Sequence, residues 1–281
     1  MTVAVLRLDL ECGTYFGILG DRGIVLEYVQ SWHATGERQD AVNSCVFISD
    51  LHLFSRRSSA ESHMNAIVAA ANRVQHVVLG GDIFDFRWSV FPSVDHTADE
   101  ATLWLERFLS EIPNAKVQYL LGNHDHNEVL IARLDRLAAE WPNFEWSPYV
   151  LRKGTTVFLH GDVANGKMTQ QDLIASRENW KQHARKGNLL NWLYDVVVFL
   201  RIHRLLANCL NPNRRVAKKL LFYLKSAGHG PGDGVRDVYF GHTHKPVLDY
   251  TYDGVRFRNG GATVKGLRFH ILELELPADE D

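Results

Sequence analysis

Cysteine is scarce in this chain: Cys12, Cys45 and Cys209 are the only three in 281 residues. An odd, scattered set excludes a disulfide framework and a thiolate-rich metal site, and it points to a reducing, cytoplasmic compartment. Long apolar runs are missing too. The longest, Leu189–Leu200, is broken by Asn191 and Asp195 and is too short to span a bilayer. Residues 1–10 carry Arg7 and Asp9 rather than the apolar stretch of a secretion signal. There is no Gly-x-Ser-x-Gly elbow to present a serine nucleophile. Repeats and low-complexity tracts are absent. A net charge of −2 excludes a uniformly basic nucleic-acid binder.

What is present is ordinary globular material, 46% hydrophobic and 23% charged, enough for one large domain or a domain with a sizeable insertion. Within it stand five short clusters of metal-ligating residue types: Asp50-Leu51-His52, Gly81-Asp82, Gly122-Asn123-His124-Asp125, His160-Gly161-Asp162 and Gly241-His242-Thr243-His244. Each follows a β-branched or leucine-rich run (Val46–Ser49, Val77–Leu79, Val117–Leu121, Thr156–Leu159 and Val235–Phe240). A hydrophobic run that ends abruptly in Asp, Asn or His reads as a buried strand delivering ligands at its carboxyl end. Open α/β sheets place their sites at that edge. Carboxylate, amide and imidazole donors without thiolate suit hard-to-borderline divalent cations. A carboxylate shared by two such cations gives the clamp used for attack at phosphorus.

In these motifs the chain resembles the calcineurin-like metallophosphoesterases, whose pattern of D-x-H, G-D, G-N-H-D, a lone histidine and G-H-x-H runs here over residues 50–244. The resemblance implies two divalent metal ions, with Asp50, His52 and His244 on the first, Asn123, His160 and His242 on the second, and Asp82 bridging. It further implies that His124 acts from just outside the metals, oriented by Asp125, and that a metal-bridged hydroxide attacks a phosphoester or phosphoanhydride. The unperturbed pKa of an imidazole suits a residue such as His124 to protonating a leaving oxygen. The implied fold is a four-layer α/β/β/α sandwich.

Within that family, Asp50-Leu51-His52-Leu53, Gly81-Asp82-Ile83-Phe84-Asp85-Phe86, His160-Gly161-Asp162 and a helical insertion before Gly241-His242-Thr243-His244-Lys245-Pro246 resemble the UDP-2,3-diacylglucosamine pyrophosphatases of lipid A synthesis. That likeness implies a nucleotide-linked lipid substrate and usually manganese, with iron or zinc as alternatives. One departure is His124, where the best-known members of that branch carry arginine. A soluble nucleotide phosphodiesterase or protein phosphatase is the alternative reading, and a metal-free protein-binding scaffold a third.

Organisation along the chain follows from punctuation. Residues 1–44 read as an N-terminal β-hairpin extension around Gly20-Asp21-Arg22-Gly23. Residues 45–281 read as the phosphoesterase domain. Helices are predicted over 58–73, with Ser58 and Ser59 as caps, over 97–112, with a Thr97–Glu100 capping box, and over 127–140. Three more, over 171–186, 188–208 and 213–227, make a helical cap inserted at about 163–228. That segment holds twelve Lys and Arg against three Asp and Glu, +9 in a chain of net −2. With Trp180, Trp192, Phe199, Phe222 and Tyr223 it suggests an anionic amphiphile, or peripheral contact with the inner membrane surface. Arg87, close after Asp82, and Arg177 and Lys181, on one helix face, are the candidate substrate-binding residues.

Overall fold

The computed structural model describes residues 43–181 and 212–277, together with strand backbone at 5–10, 13–20 and 23–29. The chain divides into two compact units, residues 1–41 and 42–281. In the first, β1 (Val5–Leu10), β2 (Gly13–Gly20) and β3 (Gly23–Val29) form an antiparallel meander. Gly20 pairs with Gly23, so the expected hairpin connects β2 and β3. A further strand, β1, joins through the equally tight Leu10–Gly13 pairing.

The second unit is built on two five-stranded sheets. One has the order β13-β4-β5-β6-β7, from Leu272–Leu276, Asn43–Ile48, His76–Gly80, Lys116–Leu120 and Phe144–Ser147. The other has the order β11-β12-β10-β9-β8, from Val247–Tyr252, Val255–Asn259, Asp237–Phe240, Thr156–Leu159 and Val150–Lys153. Strands β4 to β7 are parallel, as are β9, β10 and β12.

Alternation along each strand divides the core. Val46, Ile48, Val77, Leu79, Val117 and Tyr119 face outward onto α1 (Met64–Ala71), α2 (Val94–Glu111) and α3 (Glu128–Glu140). Their neighbours Cys45, Phe47, Val78 and Leu120 face the other sheet and meet Phe158 and Tyr239. Rings of Phe47, Phe158 and Tyr239 lie 5.4–5.9 Å apart, centroid to centroid, and fill the space between sheets. Outward from the second sheet, Val157, Leu159, Val238 and Phe240 pack on α5 (Asn213–Ser226) through Val216, Leu220, Tyr223 and Leu224. The result is four layers, α/β/β/α. The two described helices of the insertion, α4 (Gln170–Lys181) and α5, belong to this structure, with α5 forming the outer layer of the second sheet. The remainder of the expected cap, including the 188–208 helix, Trp192 and Phe199, lies outside the described residues.

Boundaries differ from expectation where a better cap was at hand. Helix α2 begins at Val94, three residues before Thr97 of the expected box, because the Ser93 hydroxyl accepts from His96 N at 3.1 Å. Thr97 sits inside the helix and donates its hydroxyl to Ser93 O. The segment expected as a helix from 58 starts as a short 3-10 turn, Ala60–His63, whose Ala60 N donates to Ser58 Oγ.

Candidate metal centre

Five parallel strands, β4, β5, β6, β9 and β10, end on one side of the sandwich, and each hands over one cluster. The turns are cross-braced: Asp50 N donates to Gly81 O at 3.0 Å and His52 N to Asp82 O at 2.9 Å. Two glycines make room for carboxylates. A Cβ on Gly122 would lie 2.2 Å from Asp82 Oδ1, and one on Gly241 would lie 2.2 Å from Asp50 Oδ2. Asp50, His52, Asp82, His242 and His244 all hold positive φ, between 46° and 63°. Non-glycine residues adopt that region uncommonly, and a run of them marks strain held in place by the surrounding structure.

Two groups of side chains converge on Asp82. Ligand atoms of Asp50, His52, Asp82 and His244 lie within 4.8 Å of one another, as do those of Asp82, His160 and His242. His52 Nε2 faces His244 Nε2 at 3.0 Å, and His244 Nε2 is 3.4 Å from Asp50 Oδ1. His160 Nε2 is 3.3 Å from Asp82 Oδ2 and 3.2 Å from Asn123 Oδ1. Two donors bound at right angles about 2.1 Å from one cation are separated by roughly 3 Å, so these spacings and the N/O donor set fit divalent ions. His160 Nδ1 lies 3.1 Å from Gly80 O, which holds the ring with Nε2 toward Asp82.

Charge is unevenly held. Burial raises the Asp50 carboxyl to about 6, with His160 pulling the other way and Asp82 adding to the rise. Burial acts on Asp82 as well, but His160 and His124 beside it hold that carboxylate well below its usual range. On His160, burial opposes the charge and Asp82 overrides it, lifting the imidazole to about 10. His242 falls to about 4, through burial and then repulsion from His160, and His244 is driven well down by burial and His52. Asp82 is therefore the anionic hub of the site.

His124 is not oriented by Asp125, contrary to expectation. Asp125 spends its oxygens on Gly122 N (2.6 Å), Ile83 N (2.9 Å) and Tyr119 OH (2.6 Å), bracing the loop from within the core. Asp85 takes the orienting position, with Oδ1 2.9 Å from His124 Nδ1 and Oδ2 3.5 Å from His52 Nδ1. Burial opposes charge on His124, but Asp85 and Asp82 raise it to about 9. The signal that could have found Asp85 is its place three residues after Asp82, on the same strand-end loop.

Arg177 is likewise misassigned as a substrate contact. It is 1% exposed, and its Nε and Nη2 donate to Asp162 at 2.8 and 3.0 Å, beneath the ring of Tyr149. It fixes the turn after β9. Arg87 lies half-buried against Trp88, guanidinium to ring centroid 5.7 Å, on the loop that carries Asp85. The Lys181 side chain lies outside the described residues.

A model of the calcineurin-like phosphoesterase family matches residues 44–246. Among solved structures, the chain is similar to a dimetal phosphatase from Danio rerio, at 17% identity, with 85% of this chain and 94% of that one covered and a TM-score of 0.41. It is also similar to Vps29 from Chaetomium thermophilum, at 12% identity, covering 83% and 80%, with a TM-score of 0.32. No curated protein matches it. The family match takes in every cluster of the site, and the chain belongs to the calcineurin-like phosphoesterase family.

Proposed function

We propose that this phosphoesterase works with two divalent cations. Asp50, His52 and His244 hold the first, Asn123, His160 and His242 the second, and Asp82 lies between them. The observation that carries this reading is the membership of Asp82 in both ligand groups. When bound, two cations supply charge neutralisation at the phosphoryl oxygens and acidify water for in-line attack. His124, held by Asp85 and partly buried, gives its proton to the departing oxygen. Asp85 keeps that imidazole protonated and fixes its direction. Asp125 and the Arg177–Asp162 pair hold the loops that present Asn123 and His160.

For the substrate we propose an anionic, phosphorylated small molecule, with a nucleotide-linked lipid such as UDP-diacylglucosamine the first candidate. The motif likeness to that pyrophosphatase branch and the +9 charge of residues 163–228 support it. Arg87, on the Asp85 loop, is the candidate phosphate contact. A second reading, a soluble nucleotide phosphodiesterase or protein phosphatase, is favoured by the packing of α5 against the second sheet. Among the described residues no helix is long and apolar enough to cross a membrane. Incubating manganese-loaded protein with UDP-diacylglucosamine and, separately, bis-p-nitrophenyl phosphate separates the two. Release of UMP supports the first reading; cleavage of the aryl ester alone supports the second. A metal-free scaffold would cleave neither.

A further inference from the structure

Besides Asp85, a second residue at the site lies outside the five clusters. After β9 the chain passes through Gly161, at φ 104°, into a 3-10 turn, Asp162–Asn165. That turn is fastened on three sides. Asp162 is gripped by Arg177 of α4, Ala164 O accepts from Lys219 of α5 at 2.6 Å, and Val163 and Ala164 are buried in the core beneath α5. The last residue of the turn, Asn165, is exposed, and its Oδ1 stands 3.0 Å from His242 Nε2. This equals the His52–His244 separation and is shorter than the His160–Asn123 one, both of which were read above as neighbouring donors around a cation.

We propose that Asn165 is a further ligand of the second cation, delivered by the helical insertion, so that α4 and α5 are mechanically tied to metal occupancy. The inference rests on the two-cation reading. An amide oxygen suits the hard-to-borderline ions that the other donors select. It comes from a turn whose backbone is fixed by both helices, so little ordering is left to be done when the ion arrives. It also adds a second amide to the Asp82, His160 and His242 group, beside Asn123.

The test is calorimetric titration of Mn²⁺ into the chelator-stripped full chain, comparing wild type with Asn165→Ala and Asn165→Asp. Asn165 is exposed, so neither variant disturbs the core. Wild type is expected to bind two ions. Asn165→Ala should weaken the second site at least about tenfold and leave the first unchanged, and Asn165→Asp should restore it. Unchanged affinity at both sites in Asn165→Ala overturns the inference while leaving the two-cation reading intact. So does equal weakening of both sites, or a failure of the aspartate to restore binding. Failure of the wild type to bind two ions overturns both.

Discussion

Replacing Asp85 by Asn removes the charge that keeps His124 protonated and leaves the shape of the side chain. Beside Asp85 the imidazole stands at about 9, against an ordinary 6.5, even though burial pulls the other way. Without the carboxylate it falls toward its ordinary value, with Asp82 still raising it and burial lowering it. A fall the whole way would take the protonated fraction at pH 8 from roughly nine-tenths to about 3%, so a roughly thirtyfold loss of competent acid is the upper bound. Bound cations lower both values by repulsion, so the readout is the displacement of the alkaline limb. The assay is the pH profile of kcat/KM for manganese-loaded wild type and Asp85→Asn on bis-p-nitrophenyl phosphate. The limb should move to lower pH in the variant, because a group with a depressed pKa loses its proton sooner as pH rises. An unmoved limb with equally reduced rates across the range would refute Asp85 as the keeper of that proton.

Three further outcomes follow from the same geometry. His124→Ala should keep its metal content, measured by elemental analysis, while turnover falls roughly 10²–10⁴-fold, the usual span for a lost general acid. Arg177→Met should cost about 3–5 kcal/mol in urea unfolding, since it strands a buried carboxylate; a raised KM with unchanged stability would return Arg177 to the substrate. The Arg177–Asp162 pair also sets an acid limit. Burial would raise Asp162, but Arg177 lowers it to about 2, below its unfolded value, so its stabilisation is complete above about pH 4 and fades as pH falls toward 2, as acid unfolding of wild type against Asp162→Asn would show.

Most of the site was legible because strands advertise their ends. A run such as Val77–Leu79 breaking into Gly81-Asp82 has few other meanings, and parallel pairing of β4, β5 and β6 then brings distant clusters to one edge. The sandwich, by contrast, was implied by the family resemblance; the division of Cys45 and Phe47 from Val46 and Ile48 between its two faces is not readable in an all-apolar run and appears only in the structure. What escaped was direction. Asp125 adjoins His124 in sequence, yet its carboxylate turns into the core toward Tyr119, and Asp85, 39 residues away from His124, turns toward the imidazole. Helical spacing put Arg177 and Lys181 on one face without saying that Arg177 faces inward to Asp162. Asn165 was invisible for a similar reason: only the turn that follows His160, clamped from α4 and α5, carries it to His242.

The shared position of Asp82 is tested most directly by counting Mn²⁺ ions retained by the purified chain before and after Asp82→Ala. Wild type should hold two per molecule and the variant should lose both from tight binding, with hydrolysis abolished. A variant that still retains two ions, or a wild type that retains fewer than one and gains no hydrolysis from added manganese, would contradict a dinuclear centre built around that carboxylate.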